Sequence, residues 1–368
     1  MKVNNIFYIE THVRVRITAF TPANGRKEWN AMLTIDADVA PTMTEAEQLE
    51  ALMTARTHLL SELGAVQLFG RLFVAEGVLD KPVNGFSCIG QNPLDGTAAA
   101  MWLWLSDTSQ SAYEHTFGMN YTAVTDNGTG ALSSNSETQS RALLQHYNDD
   151  LESQGLNLAN NCLRTWFFVR DIDNNYHGLV VARREYFADH GLTRDTHYIA
   201  STGINGNPAL PEALVQMDTY TIKGIKPEQI TYLKGSSHLN PTAEYGVTFE
   251  RATRIAYSDR SHVLISGTAS IDNKGQILFP EDAAAQAHRM LENIGVLLNE
   301  GGTSFNDLTH SIVYLRNASD YEAVKAVVDA QLPDLPKVYV LAPVCRPGWL
   351  VEMECIAIGK GEDGFLPF

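Results

Sequence analysis

Nine residues near the C-terminus, LVEMECIAI (350–358), and nine in the middle of the chain, LVQMDTYTI (214–222), run through the same succession of apolar and polar positions. Side chains of a strand point alternately to its two faces, so each run predicts a strand with a buried face. Upstream of each lies a stretch with apolar residues at helical spacing. Leu143, Leu144, Tyr147 and Leu151 recur within 139–155, and Met290, Leu291, Ile294 and Leu298 within 286–302; both stretches end in glycine. A strand closing on Arg170 (RTWFFVR) or Arg316 (SIVYLR) follows each helix, then a second helix over 176–189 or 320–332, then two more strands. The order helix, strand, helix, strand, strand therefore occurs twice, and the second copy is preceded by two further strands, GVTFERATRIAYS and HVLISGTASI. The fold class predicted is α+β: two related units, each a mainly antiparallel sheet with two helices on one face.

The offset between copies falls from 147 residues at the first helix (Gln139, Gln286) to 136 at the last strand (Ile222, Ile358). The first copy thus carries about ten extra residues, expected around its second helix and in the loop 205–211. Residues 1–110 are less regular. THVRVRITAF and AMLTIDADV predict strands, 44–64 a helix capped by Thr42 or Thr44 with Leu49, Leu52, Leu59, Leu60 and Leu63 on its apolar face, and AAAMWLWLSD a buried strand. They are assigned to the N-terminal domain as extra strands of its sheet, with a truncated third repeat as the alternative. Residues 107–137, rich in Ser, Thr, Asn and Gly, predict a long loop or loosely ordered hairpin. Pro227, Gly235 and Pro241 mark 223–241 as the connector. The expected boundaries are a domain over 1–225, a linker over 226–244 and a domain over 245–368.

With 368 residues, 44% of them hydrophobic and 19% charged, the chain fits two globular domains. Its first twenty residues carry Glu10, Arg14 and Arg16 and lack the apolar centre of a signal peptide, and no run approaches the roughly 18 apolar residues that span a bilayer. A cytoplasmic location without membrane contact is expected. Cys88, Cys162, Cys345 and Cys355 show no metal-ligand spacing, and Cys162 and Cys355 read as small buried hydrophobes, so neither a disulfide framework nor a metal site is indicated. A net charge of −16 without a basic stripe argues against nucleic acid as a partner. It also means that an anionic substrate has to be drawn by a local cluster of arginines.

Glu352 and Glu354 lie on one face of the last strand, where burial and mutual repulsion lift the pKa of at least one. A carboxyl protonated near neutral pH is a general acid. Gln216 holds the position of Glu352 in the other copy, which singles out Glu352 for chemistry; Glu354 reads as a salt-bridged residue at the sheet edge. Cys345 has no histidine nearby to generate a thiolate and reads as a pocket residue ahead of a nucleophile. Arg346, aimed by Pro347, is a bidentate partner for a substrate carboxylate, with Arg251 and Arg164 as further candidates and a surface position as an equal alternative for Arg164. Gly267, Thr268 and Ala269 have small side chains that permit close approach by a ligand. Ser201 and Thr202 offer hydroxyls from the other domain, while His197 and His238 read as structural.

Residues 245–359 resemble the YjgF/RidA superfamily in SGTASID (266–272), in Gln286 with Asn293, in the glycine pair Gly301 and Gly302, and in LVEMECIAI. The enamine and imine deaminases of that superfamily carry an arginine on the strand entering the site; here that place holds Val338 and Tyr339, and the next arginine is Arg346. The longer chain is similar to the two-domain chorismatase family through RTWFFVRDID (164–173), HLNPTAEYGVTFERA (238–252), SGTASI, and Cys345-Arg346-Pro347 ahead of Val351-Glu352. It departs from that family in having neither Arg nor Lys within 238–245. The resemblance implies cofactor-free removal of pyruvate from chorismate or a related enolpyruvyl ether, with Glu352 as the acid, Cys345 at the catalytic centre, and Tyr245 of the Tyr-Gly element among the substrate contacts. The implied partner is a small anionic metabolite, and the assembly is a homo-oligomer or else an intramolecular pseudo-oligomer of the repeats. A RidA-type enamine or imine deaminase and a non-catalytic small-molecule binding protein are the alternatives.

Overall fold

The computed structural model describes every residue except Met1, Asn24, Asp80 and 124–132, and leaves the Tyr245 side chain outside the described residues as well. The chain builds three sheets in succession. The first contains β1 (Lys2–Tyr8), β2 (Val13–Phe20), β3 (Glu28–Ile35), β4 (Ala65–Val74), β5 (Ser87–Gly90) and β6 (Ala99–Asp107), with α1 (Glu45–Leu63) between β3 and β4. The helix starts at Thr44, whose hydroxyl accepts from the Glu47 amide while the Glu47 carboxylate accepts from the Thr44 amide, and stops at Gly64, which takes the left-handed conformation at φ 58°. The second unit runs β7 (Glu114–Tyr121), α2 (Ser136–Ser153), α3 (Leu158–Asn161), β8 (Cys162–Val169), α4 (Ile172–Asp189), β9 (Ala200–Asn205), β10 (Asn207–Pro208) and β11 (Val215–Lys223). The third runs β12 (Ile230–Leu233), β13 (Ala252–Ala256), β14 (Ser261–Ala269), α5 (Ala283–Glu300), β15 (Leu308–Leu315), α6 (Tyr321–Gln331), β16 (Lys337–Leu341) and β17 (Val351–Gly359).

Strand order is β1-β2-β3-β6-β4-β5-β10 in the first sheet, β7-β11-β8-β9 in the second and β12-β13-β14-β17-β15-β16 in the third. One pattern repeats. The last long strand of each unit (β6, β11, β17) lies between two antiparallel neighbours, and the second of these (β4, β8, β15) pairs in parallel with a short strand (β5, β9, β16). Parallel neighbours need a crossover, which α4 and α6 supply; in the first unit 75–86 make it, and the described residues among them form no helix. The fold is thus α+β with the two expected units, and the strands of 1–107 form a reduced third one. They do not complete the sheet of the second unit, because β6 is already hydrogen-bonded on both edges, to β3 and β4.

Each sheet puts one face under its helices and the other toward a shared interior. On β6, Met101, Leu103 and Leu105 pack with Leu52, Ala55 and Leu59 of α1, while Trp102 and Trp104 point inward. On β8, Phe167 and Val169 lie with Leu143 and Leu144 of α2, while Trp166 and Phe168 point inward. Both strands are buried on both faces, which is why they read as unbroken apolar runs. Phe69 meets Trp102 at 5.1 Å and stacks on Trp166 at 5.7 Å, joining the first two units. No helix among the described residues is long and apolar enough to cross a membrane.

The two longer repeats share individual hydrogen bonds. The Leu214 amide donates to Gln139 (2.7 Å) and the Leu350 amide to Gln286 (2.9 Å); Arg170 Nε donates to the Ala213 carbonyl (3.1 Å) and Arg316 Nε to that of Trp349 (3.2 Å). These pairs and the strand registers put Gln216, opposite Phe168, in the place of Glu352, opposite Tyr314. Thr202, opposite Trp166, likewise matches Val338, opposite Ile312. The offset is therefore already 136 at Thr202 and still 146 at Arg170, so all but one of the extra residues fall in α4 and the segment 190–199. The loop 205–211 contributes none, since the links 206–214 and 342–350 are equal in length.

Two further expectations change. The linker 226–244 contains β12, whose residues pair with β13 along the edge of the third sheet. Of the loop 107–137, residues 114–121 are β7, paired along β11; the part at 124–132 lies outside the described residues.

Candidate active site

β17 is the central strand of the third sheet, and it carries Glu352 between Ala269 of β14 and Tyr314 of β15. Its side chain enters a cavity at the junction with the second unit, lined from the third unit by Phe249, Arg251, Gly267, Cys345, Arg346 and Trp349 and from the second by Tyr176, Arg183, Ser201 and Gly203. The free space is small, ≈ 40 Å³. Glu352 is 5% exposed. Burial, and then the nearby Glu354 carboxylate, raise its pKa to about 8, against the opposing pull of Arg164 and Arg251. The group is a neutral carboxylic acid at pH 7.

Gly267 makes this placement possible. A β-carbon there would stand 2.1 Å from Glu352 Oε1 and 2.9 Å from its Cδ, so the bare backbone leaves the volume that the carboxyl occupies. Gly203 does the same for Tyr176, whose ring would lie 3.1 Å from an added β-carbon. Tyr176 hydrogen-bonds the partly buried Cys345 thiol, yet burial and the adjacent Glu352 push that thiol up to about 12. Cys345 is thus held as a thiol rather than a thiolate, which suits a wall of the cavity better than a nucleophile.

Three arginines surround the acid. Arg251 Nη2 donates to both the backbone carbonyl (3.0 Å) and the side-chain oxygen (3.1 Å) of Asn240. The Arg346 guanidinium lies 4.9 Å over the Trp349 ring. Arg183, from α4, donates to Thr248 (3.2 Å) and to Ser201 (3.4 Å) and lies over Phe167. Arg183 and Tyr176 were not among the residues singled out from the sequence. The signal was available in Arg183, a cation within the apolar stripe of Leu179, Ala182, Tyr186 and Phe187, all of which are buried.

Of the other residues expected at the site, Ser201, Gly267 and Ala269 line the cavity while Thr202, Thr268 and Arg164 do not. Thr268 is buried within its own sheet, its hydroxyl on the Ser266 carbonyl. Arg164 is no surface residue and no cavity residue: its Nη2 binds Glu354 at 2.7 Å, and the Thr202 hydroxyl and Trp166 Nε1 (3.0 Å) donate to the same carboxylate. Glu354 is 3% exposed and sits in the shared interior rather than at a sheet edge, with Arg71 of the first unit 3.5 Å away. A charge taken so far from water persists only with such partners, and its field adds to burial in raising the Glu352 pKa. His238 bonds Ser237, and His197 stacks on Tyr232.

The sequence pattern of the family described as Endoribonuclease L-PSP matches residues 250–359. The chain is 30% identical over 133 residues to the 3-aminoacrylate deaminase RutC of Acinetobacter baylyi, which spans 36% of this chain and 98% of that protein. A crystal structure of a chorismatase superposes with a TM-score of 0.61 at 19% identity, covering 79% of this chain and 92% of that one, a likeness of fold that takes in more than one unit.

Proposed function

The chain belongs to the Endoribonuclease L-PSP family, within the YjgF/RidA superfamily, and from that premise we propose that it is an enzyme that protonates an electron-rich carbon–carbon double bond, releasing pyruvate from chorismate or a related enolpyruvyl ether. The observation that carries the reading is the neutral Glu352 carboxyl, with a pKa raised to about 8, in a cavity walled by Arg183, Arg251 and Arg346. An acid works best when its pKa lies near the working pH, and this one keeps its proton there.

Glu352 delivers that proton to the methylene carbon of the enol ether, which becomes a methyl group and leaves an oxocarbenium ion. Water adds to the cationic carbon and loses a proton to the Glu352 carboxylate. The resulting hemiketal collapses to pyruvate and a ring alcohol. The arginines hold the substrate carboxylates, fixing the methylene carbon against the acid, and positioning of this kind supplies much of the rate. A small anionic metabolite is thus the expected partner. The test is incubation with chorismate and detection of pyruvate by coupled reduction to lactate. Absence of pyruvate under conditions where the protein is folded refutes the reading.

The likeness to RutC favours a second reading, deamination of an enamine. That reaction also begins by protonating a carbon–carbon double bond, so Glu352 serves either substrate. Ammonia released from 3-aminoacrylate, with chorismate left intact, decides for it.

A further inference from the structure

The cavity at Glu352 is the inner of two. Its ≈ 40 Å³ of free space accepts a few atoms, whereas the adjoining pocket offers ≈ 490 Å³, within the range of about 300–1,000 Å³ typical of small-molecule sites. Phe249 and Arg251 line both. Arg251 is hydrogen-bonded to Asn240 in the outer wall while its charge acts on Glu352 in the inner one, so it spans the neck between them.

The outer walls come from two segments that the second and third units do not share. One is 193–198, in the stretch where the second unit is longer than the third, and the other is 230–243, which carries the edge strand β12 and part of the link from it to β13. His197 stacks on Tyr232 at 4.4 Å and 10°, a flat surface for a ring. Exposed Arg194 and Lys234 stand at the rim of a protein whose net charge is −16. The one acid of the lining, Glu250, accepts the Tyr198 amide at 2.8 Å.

We infer that the outer pocket is the second half of the binding site, holding the ring-bearing, hydroxylated, anionic body of the substrate while only its unsaturated head passes Phe249 to Glu352. This rests on the acid reading of Glu352. It assigns substrate size to those two segments and proton transfer to the repeated unit.

Steady-state turnover of chorismate tests it in two variants at exposed lining positions. Reversing the rim charge (Arg194→Glu with Lys234→Glu) should raise KM at least tenfold and flatten its dependence on salt. Filling the pocket (Ser236→Trp) should raise KM at least fivefold. Both should leave kcat within about twofold, which a general loss of folding would not do. An unchanged KM in both variants, with an active parent, overturns the outer pocket alone. A raised KM on charge reversal with an unchanged one in Ser236→Trp reduces the pocket to a steering surface and also overturns it. A parent that makes no pyruvate from chorismate instead brings down the acid reading, and this inference with it.

Discussion

Replacing Glu352 with Gln keeps the shape of the side chain and removes the proton that titrates, so stability and activity should move in opposite directions. In the unfolded chain the carboxyl ionises near 4.5, and in the folded protein near 8. Between those values the folded state holds one proton more than the unfolded state. Stability contributed by this group is therefore complete below the lower pKa and is lost as pH rises toward the upper one, at about 1.4 kcal/mol per pH unit. Over the whole window the loss is on the order of 5 kcal/mol, and solvent screens little of it because the side chain is buried. Glutamine has no such dependence. In urea unfolding from pH 5 to 9, Glu352→Gln should gain on the parent by several kcal/mol as pH rises and then level off above pH 8, while pyruvate release falls at least a hundredfold, at the lower end of general-acid contributions. The parent's kcat should fall above about pH 8 as the acid loses its proton. A stability difference that does not change with pH, or a parent rate that climbs through pH 8, refutes the assignment.

Gly267→Ala places a methyl group on the Glu352 carboxyl, which can swing aside, so unfolding should show a loss of about 1–3 kcal/mol while kcat drops tenfold or more from misplacement of the acid. Cys345 should resist iodoacetamide at pH 7.5 in the native protein and react after unfolding, and Cys345→Ser should keep kcat within tenfold; rapid native alkylation with loss of activity would restore the thiol as a nucleophile. Glu354→Gln leaves Arg164 without its counter-ion and should cost about 3–5 kcal/mol in denaturant unfolding. In the same variant the alkaline limb of the rate profile should move to lower pH, since the carboxylate that raises the Glu352 pKa is gone.

The repeat was legible because periodicity reports which face of an element is buried, and the two long units bury the same faces. The helices around Leu143 and Met290, the strands ending at Arg170 and Arg316, and the correspondence of Gln216 with Glu352 all follow from that pattern. The first unit was harder to read for a physical reason: the described residues of its crossover at 75–86 form no helix, and β6 is apolar on both faces, so neither the order of elements nor the alternation marked it as a copy. Strand β12 reads as a linker in the sequence because it pairs along one edge only and is four residues long. At the site, Glu352 stood out by its contrast with Gln216. Arg164 could not be separated from a ligand-binding arginine, because its partner Glu354 lies 190 residues away in sequence and only the packing of two units brings them together.

Joining the units in one chain lets each junction differ. At the junction of the first two, Asp218 accepts from Ser87 and Arg71, and at that of the second and third, Glu354 accepts from Thr202 and Arg164. At the third junction, Trp102 in the corresponding place stacks on His310 at 4.1 Å. Two residues earlier on the same strands stand Gln216, Glu352 and Ala100. Gln216 donates to the Cys88 carbonyl and to the side-chain oxygen of Asn120, two acceptors that a carboxylate would repel. The sheet registers put Asn120 where the third unit has Gly267, each just before the residue that pairs with Met217 or Met353, Tyr121 and Thr268 respectively. The second unit thus fills with an asparagine the volume that glycine leaves open in the third. Glu352 has both that opening and a neighbouring carboxylate whose own charge is compensated, and among these positions the junction carrying Gly267 and Glu354 brings the two together. Three copies of one chain would have to place the same side chains at all three junctions, whereas a tandem chain can keep the acid at one and use the other two for packing and ion pairing.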